Sequence, residues 1–180
     1  MTLLACFSGQ IGSGKSSVSA AVAAALGWRR TGFGDYLRAE IARGGGDSHS
    51  REALQDLGQR LVGADPEAFC RSVLAAGGFA PGDDFVVDGV RHVEIFRILG
   101  RVAAPSTARL IFLSANEAHR LGRVADRLDK DDFARAATHR VEAELRNDLP
   151  TVADIVVDAT RPFDDVVAYC IARIRAWRQL

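Results

Sequence analysis

Gly9-Gln10-Ile11-Gly12-Ser13-Gly14-Lys15-Ser16-Ser17 is the stretch that decides the fold of this chain. It meets the pattern G-x-x-x-x-G-K-[ST] at every fixed position. Leu3-Leu4-Ala5-Cys6-Phe7 before it is a short apolar segment of strand type, and the alanine-rich run over 16–26 after it is of helix type. Strand, glycine loop and helix in that order form the context in which the pattern binds phosphate. Gly9, Gly12 and Gly14 let the backbone curl around a phosphate chain and turn several N–H groups inward, with Ser13 and Ser17 in the same cradle. The helix starting there adds its positive dipole end. Lys15 is then placed to bridge the β- and γ-phosphates of ATP, and the Ser16 hydroxyl to hold Mg²⁺.

Working outward, short apolar runs alternate with amphipathic ones. Strands are expected at 3–7, 28–31, 85–87, 108–113 and 155–157, and helices at 16–26, 35–43, from 51, from 66, and over 93–102, 117–128, 133–146 and 164–177. Gly27 is a C-cap, Asp35 an N-cap, and Pro66 a first helical residue. Residues 44–48, with three consecutive glycines, form a flexible connection, either a hinge or a loose surface loop. Phe85-Val86-Val87 has the unbroken apolar character of a strand buried on both faces. The expectation is an α/β fold with three layers: a parallel five-stranded sheet, helices on both faces, and ligands beyond the carboxyl ends of the strands.

The chain has 180 residues, 48% hydrophobic and 26% charged, which suits a single domain with a real core. Lysine plus arginine equals aspartate plus glutamate at 23 each, so no overall field draws in nucleic acid or anionic membranes. Cys6, Cys70 and Cys170 are widely spaced in apolar surroundings and read as buried free thiols of a cytoplasmic protein. No apolar run approaches the roughly 20 residues of a membrane span, and the N-terminus lacks the features of a signal peptide. The four histidines share no metal-ligand spacing and read as structural or solvated. The partner expected is a small molecule, with the chain a monomer or homodimer.

Two further stretches narrow the chemistry. Gly34-Asp35-Tyr36-Leu37-Arg38 resembles the G-D-x-L-R segment of adenylate kinases and their relatives, and Asp88-Gly89-Val90-Arg91 is similar to the D-G-x-x-R stretch after their third strand. The resemblance implies that Arg38 and Arg91 grip the phosphate of an acceptor nucleotide, and bidentate, permanently charged guanidinium groups suit that task. Taken alone, Arg38 could be a solvated helix residue and Arg91 a partner for a carboxylate. Asp88 ends an apolar strand, where such proteins place the acid of their Mg²⁺ shell, although it could also cap the following helix. Arg120, Arg123 and Arg127 recur at three and four and share one helix face. In small-molecule kinases of this kind a lid follows the fourth strand. The resemblance gives Arg123 and Arg127 the role of neutralising the moving phosphoryl group, with Arg120 a weaker third, on a short helical lid over about 117–132.

Residues 139–145 and 153–158 resemble the ending of dephospho-coenzyme A kinases and of phage-type deoxynucleoside monophosphate kinases. Residues 51–58 resemble the acceptor-side helix of the latter, within an acceptor-binding part over about 34–76. The implied activity is transfer of the γ-phosphoryl of ATP to a small nucleotide, a (deoxy)nucleoside monophosphate. One alternative is a kinase acting on a hydroxyl, such as that of dephospho-coenzyme A, for which Asp35 is the candidate base. Another is a regulatory ATP-binding module that transfers nothing.

Overall fold

The computed structural model describes residues 1–125, 145 and 147–180. The expected helix over 133–146 apart from Leu145, the part from residue 126 onward of the expected helix over 117–128 and of the expected lid over 117–132, Arg127, and the resembling segment over 139–144 lie outside the described residues.

The chain runs β1 (Leu3–Gly9), α1 (Lys15–Leu26), β2 (Arg29–Gly32), α2 (Phe33–Arg43), α3 (Arg51–Ala64), α4 (Pro66–Ala76), β3 (Phe85–Asp88), α5 (Val93–Val102), β4 (Thr107–Ser114), α6 (Glu117–Ala125), α7 (Leu149–Val152), β5 (Ile155–Asp158) and α8 (Phe163–Arg178). The five strands form one sheet in the order β2-β3-β1-β4-β5, parallel at every pairing. The expected three-layer α/β fold is therefore present.

Strand β1 lies at the centre and is buried at all seven positions. Its side chains alternate between two cores, as the period of a strand requires. Leu4 and Cys6 join the core formed with α2, α4 and α5, while Leu3, Ala5 and Phe7 join the one formed with α1 and α8. The stripe Leu54, Leu57, Leu61 and Val62 of α3 packs against the first core from its margin, and no residue of α3 is fully buried. This helix is the least anchored part of that face, and it borders the site.

Local rules place most element ends. Gly27 closes α1 in left-handed conformation, its N–H directed to the carbonyls of Ala23 and Ala24. Ser50 and Asp65 cap α3 and α4 through their side chains, and Pro66 opens α4. One expectation is corrected here: Asp35 is not an N-cap. The β2–β3 ladder runs to the pair Gly32↔Asp88, and the chain passes straight from an extended Gly32 into α2 at Phe33. Asp35 thus falls in the first turn, its carboxylate committed to arginines.

The three cysteines are free and buried. Burial pushes the Cys70 and Cys170 thiols up to about 12, and the fully enclosed Cys6 thiol is also raised, by burial first and then by nearby Cys70 and Asp154. Only thiolate attacks disulfide reagents, so the native protein is expected to show no fast-reacting thiol with dithionitrobenzoate at pH 8. All three should react once the chain is unfolded in guanidinium, as read by absorbance.

Candidate active site

The site lies beyond the carboxyl ends of β1 and β3, which are neighbours in the sheet. Strand β1 delivers the phosphate loop and β3 delivers Asp88 and the turn to Arg91. These two exits are fastened together. The Phe7 carbonyl accepts from the backbone N–H groups of Gly89 and Val90 at 3.0 and 3.1 Å, and the buried Ser8 hydroxyl donates to the Val90 carbonyl at 2.6 Å. Arg91 is thereby carried on a turn held rigidly against the start of the phosphate loop. Sequence reading passed over Ser8, whose only signal is a hydroxyl inside an otherwise apolar strand.

Lys15 and Ser16, from the loop, share one cavity of about 370 Å³ with Asp35, Arg38, Asp88 and Arg91. The residues assigned from three separate stretches therefore face a common space. His49 and His92 line it as well. The far wall is built by α2 and α3: Leu37 and Leu54 supply apolar surface, and Gln55 and Gln59 supply amides one helical turn apart. Gly58, between them, leaves room where a Cβ would already touch Leu37 at 3.4 Å.

The two carboxylates have contrasting environments. Asp88 has a side chain 7% exposed and is paired with Arg30 at 2.7 Å, through Oδ2. Its other oxygen, Oδ1, is buried and has no hydrogen-bond partner among the described residues. An orphaned carboxylate oxygen at a strand end, in the same cavity as the Ser16 hydroxyl, fits the hard oxygen donor set and the retained waters that Mg²⁺ requires. Asp35 is 59% exposed, paired with Arg30 at 3.3 Å and Arg38 at 3.0 Å. Among the described residues no group of three or more histidines, cysteines or acids is placed to hold a metal.

Helix α6 lies on the phosphate loop itself. Asn116 caps it by accepting from His119 N–H at 2.9 Å. Arg120, nearly buried, reaches the Ile11 carbonyl at 3.4 Å. Arg123 donates to the Ser13 carbonyl at 2.9 Å and to the Ala159 carbonyl at 3.0 Å. The expected shared face of Arg120 and Arg123 thus exists, and it serves to tie the loop to the turn after β5. In that turn Asp158 accepts from the Thr160 hydroxyl and N–H, which together hold its carboxyl below the usual range.

Gly12 records how closely α6 approaches. Its φ is +81°, and a Cβ there would stand 2.7 Å from the Arg120 carbonyl oxygen and 3.1 Å from the Arg120 Cα. Both the left-handed backbone and the contact with main chain require glycine. Gly12→Ala is expected to lower the melting temperature by at least about 2–8 °C, from a backbone cost of about 1–2 kcal/mol, and to weaken ATP binding. Thermal denaturation with and without nucleotide measures both.

No protein-family model matches the chain, and no curated protein matches it by sequence. Solved structures do match it. A gluconokinase from Sinorhizobium meliloti 1021 superposes with a TM-score of 0.63 at 21% identity, over 98% of this chain and 97% of that one. The chain has the fold of these kinases. A putative kinase from Chloroflexus aurantiacus j-10-fl gives 0.60 at 18% identity over 97% of both chains. A sugar kinase from Janibacter sp. HTCC2649 gives 0.58 at 16% identity over 96% of this chain and 94% of that one. At these identities the likeness concerns the fold alone. Among the described residues no helix is long and apolar enough to cross a membrane.

Proposed function

We propose that the chain is an ATP-dependent phosphotransferase acting on a hydroxyl of a small anionic acceptor, of sugar-acid type. The observation that carries this reading is the single cavity holding Lys15 and Ser16 on one side and Asp35, Arg38 and Arg91 on the other. A nucleotide switch has no use for that second set. In this reading the loop amides and Lys15 position the donor phosphates, and Arg38 and Arg91 hold the anionic group of the acceptor. Asp35, the exposed carboxylate of the two, takes the hydroxyl proton as phosphoryl transfer proceeds. Ser16 and Asp88 would hold Mg²⁺, which supplies neutralising charge on the phosphates. Arg123 steadies the loop against the turn after β5; its expected role on the moving phosphoryl group stays a proposal, as does that of Arg127. Neighbours described as a gluconokinase and a sugar kinase support a hydroxyl acceptor.

A specific observation favours a second acceptor class. Leu37, Leu54 and Gly58 give the cavity an apolar wall with the Gln55 and Gln59 amides beside it, a combination that suits a base with a donor–acceptor edge. A nucleoside monophosphate would then present its phosphate to Arg38 and Arg91, as the resemblance to adenylate kinases implies, and no base would be required. Coupled ADP release measured against aldonic acids and against nucleoside monophosphates separates the two. Turnover with the first panel alone supports the hydroxyl reading, turnover with the second alone replaces it, and no acceptor-dependent ADP in either overturns both.

A further inference from the structure

Arg30 occupies a place that none of the assigned roles explains. It sits on β2, an edge strand of the sheet, yet its side chain is only 21% exposed. Each of its three guanidinium nitrogens makes a different contact. Nε donates to the Ser19 hydroxyl at 3.0 Å, Nη1 reaches Asp35 Oδ2 at 3.3 Å, and Nη2 donates to Asp88 Oδ2 at 2.7 Å. Ser19, fully buried, in turn donates to the Ser16 carbonyl at 3.1 Å. One side chain therefore links the residue that offers the metal hydroxyl to both carboxylates of the cavity.

Stability does not explain such an arrangement. A largely buried ion pair recovers little more than its desolvation cost, and an apolar replacement of similar shape is often neutral. Its consequence is orientational. With Oδ2 engaged by Arg30, the Asp88 carboxylate cannot rotate, and the oxygen left without a partner is Oδ1. The planar fork of arginine can hold two carboxylates and a hydroxyl at once; a lysine nitrogen, as a point charge, cannot keep all three. The positive charge also offsets the repulsion between Asp35 and Asp88 across the cavity.

We propose that Arg30 is a positioning residue for the metal of the donor nucleotide: it fixes Asp88 so that Oδ1 is presented towards the divalent cation beside Ser16. The proposal rests on the phosphotransfer reading for its purpose, but binding alone tests it. The probe is Mn²⁺ with ADP, free Mn²⁺ being counted by electron paramagnetic resonance, and ADP affinity in EDTA being measured separately.

Outer partners of a metal ligand typically contribute 10–100-fold to metal affinity. Arg30→Met is therefore expected to weaken Mn²⁺ binding in the ADP complex about 10–100-fold while ADP affinity in EDTA stays within about twofold. Arg30→Lys should fall between Arg30→Met and the parent protein, and it carries the test if the methionine variant does not fold. Asp88→Asn added to Arg30→Met should cost little more than either change alone, because both act on one carboxylate. Unchanged Mn²⁺ affinity in folded Arg30→Met, an equal loss of ADP binding in EDTA, additive effects with Asp88→Asn, or absence of Mn²⁺ binding by the parent protein with ADP would each overturn it. If instead no acceptor is ever phosphorylated while these binding effects hold, the phosphotransfer reading fails and the role of Arg30 survives.

Discussion

Lys15→Met is expected to lower phosphotransfer about 10²–10³-fold, equivalent to roughly 3–4 kcal/mol of lost transition-state stabilisation. The same substitution should alter the stability of the nucleotide-free protein far less than it alters turnover. Lys15 is the first residue of α1, which has no acid in its first turn and begins at a left-handed Gly14. An ammonium group there meets the positive end of the helix dipole, an arrangement typically unfavourable by about 0.3–1 kcal/mol. Methionine keeps the aliphatic stem and removes the charge. A large loss of activity beside a small change in resting stability identifies a residue kept for its ligand. Steady-state kinetics beside thermal denaturation in the absence of nucleotide would read both, and a large fall in resting stability would contradict this account.

Asp35→Asn is the second large effect. With a hydroxyl acceptor, loss of the base should cost about 10²–10⁴-fold in kcat while acceptor affinity is kept, since asparagine still offers an oxygen to Arg30 and Arg38. With a phosphate acceptor the acceptor is already an anion, and removing a half-exposed carboxylate from its path should change kcat by less than about tenfold. Initial rates at saturating ATP, beside calorimetric titration of the acceptor, distinguish the two outcomes. The buried Asp88, by contrast, should show its effect in metal dependence.

The contrast between these two acids shows what sequence carries and what it does not. The phosphate loop was legible because backbone curvature, a cation and a hydroxyl can be supplied by few residue types at fixed spacing. The strand expected at 85–87 was legible as an unbroken apolar run, a property of a strand covered on both faces, and the one expected at 155–157 as a short β-branched run, although it lies at the sheet edge with Val156 exposed. Asp35 was read as a helix cap from the ordinary preference of aspartate. That preference lost because the sheet ladder carries the chain to Gly32 and turns it at once into α2. Arg30 escaped notice because its three partners come from α1, α2 and β3, and no local spacing encodes such a meeting. An arginine in the middle of a strand of a parallel sheet was the one available signal. The 3–4 periodicity of Arg120 and Arg123 was visible, but not their targets, which are backbone carbonyls of Ile11, Ser13 and Ala159.

The cavity's two sets of residues have a joint meaning only if a phosphoryl group passes between them. Phosphorus NMR of the protein with ATP, Mg²⁺ and candidate acceptors shows directly where that group goes. The account predicts a new phosphate monoester resonance growing as ADP appears, with the acceptor consumed in equal amount. ADP accompanied only by inorganic phosphate, at a rate indifferent to every acceptor, would contradict it.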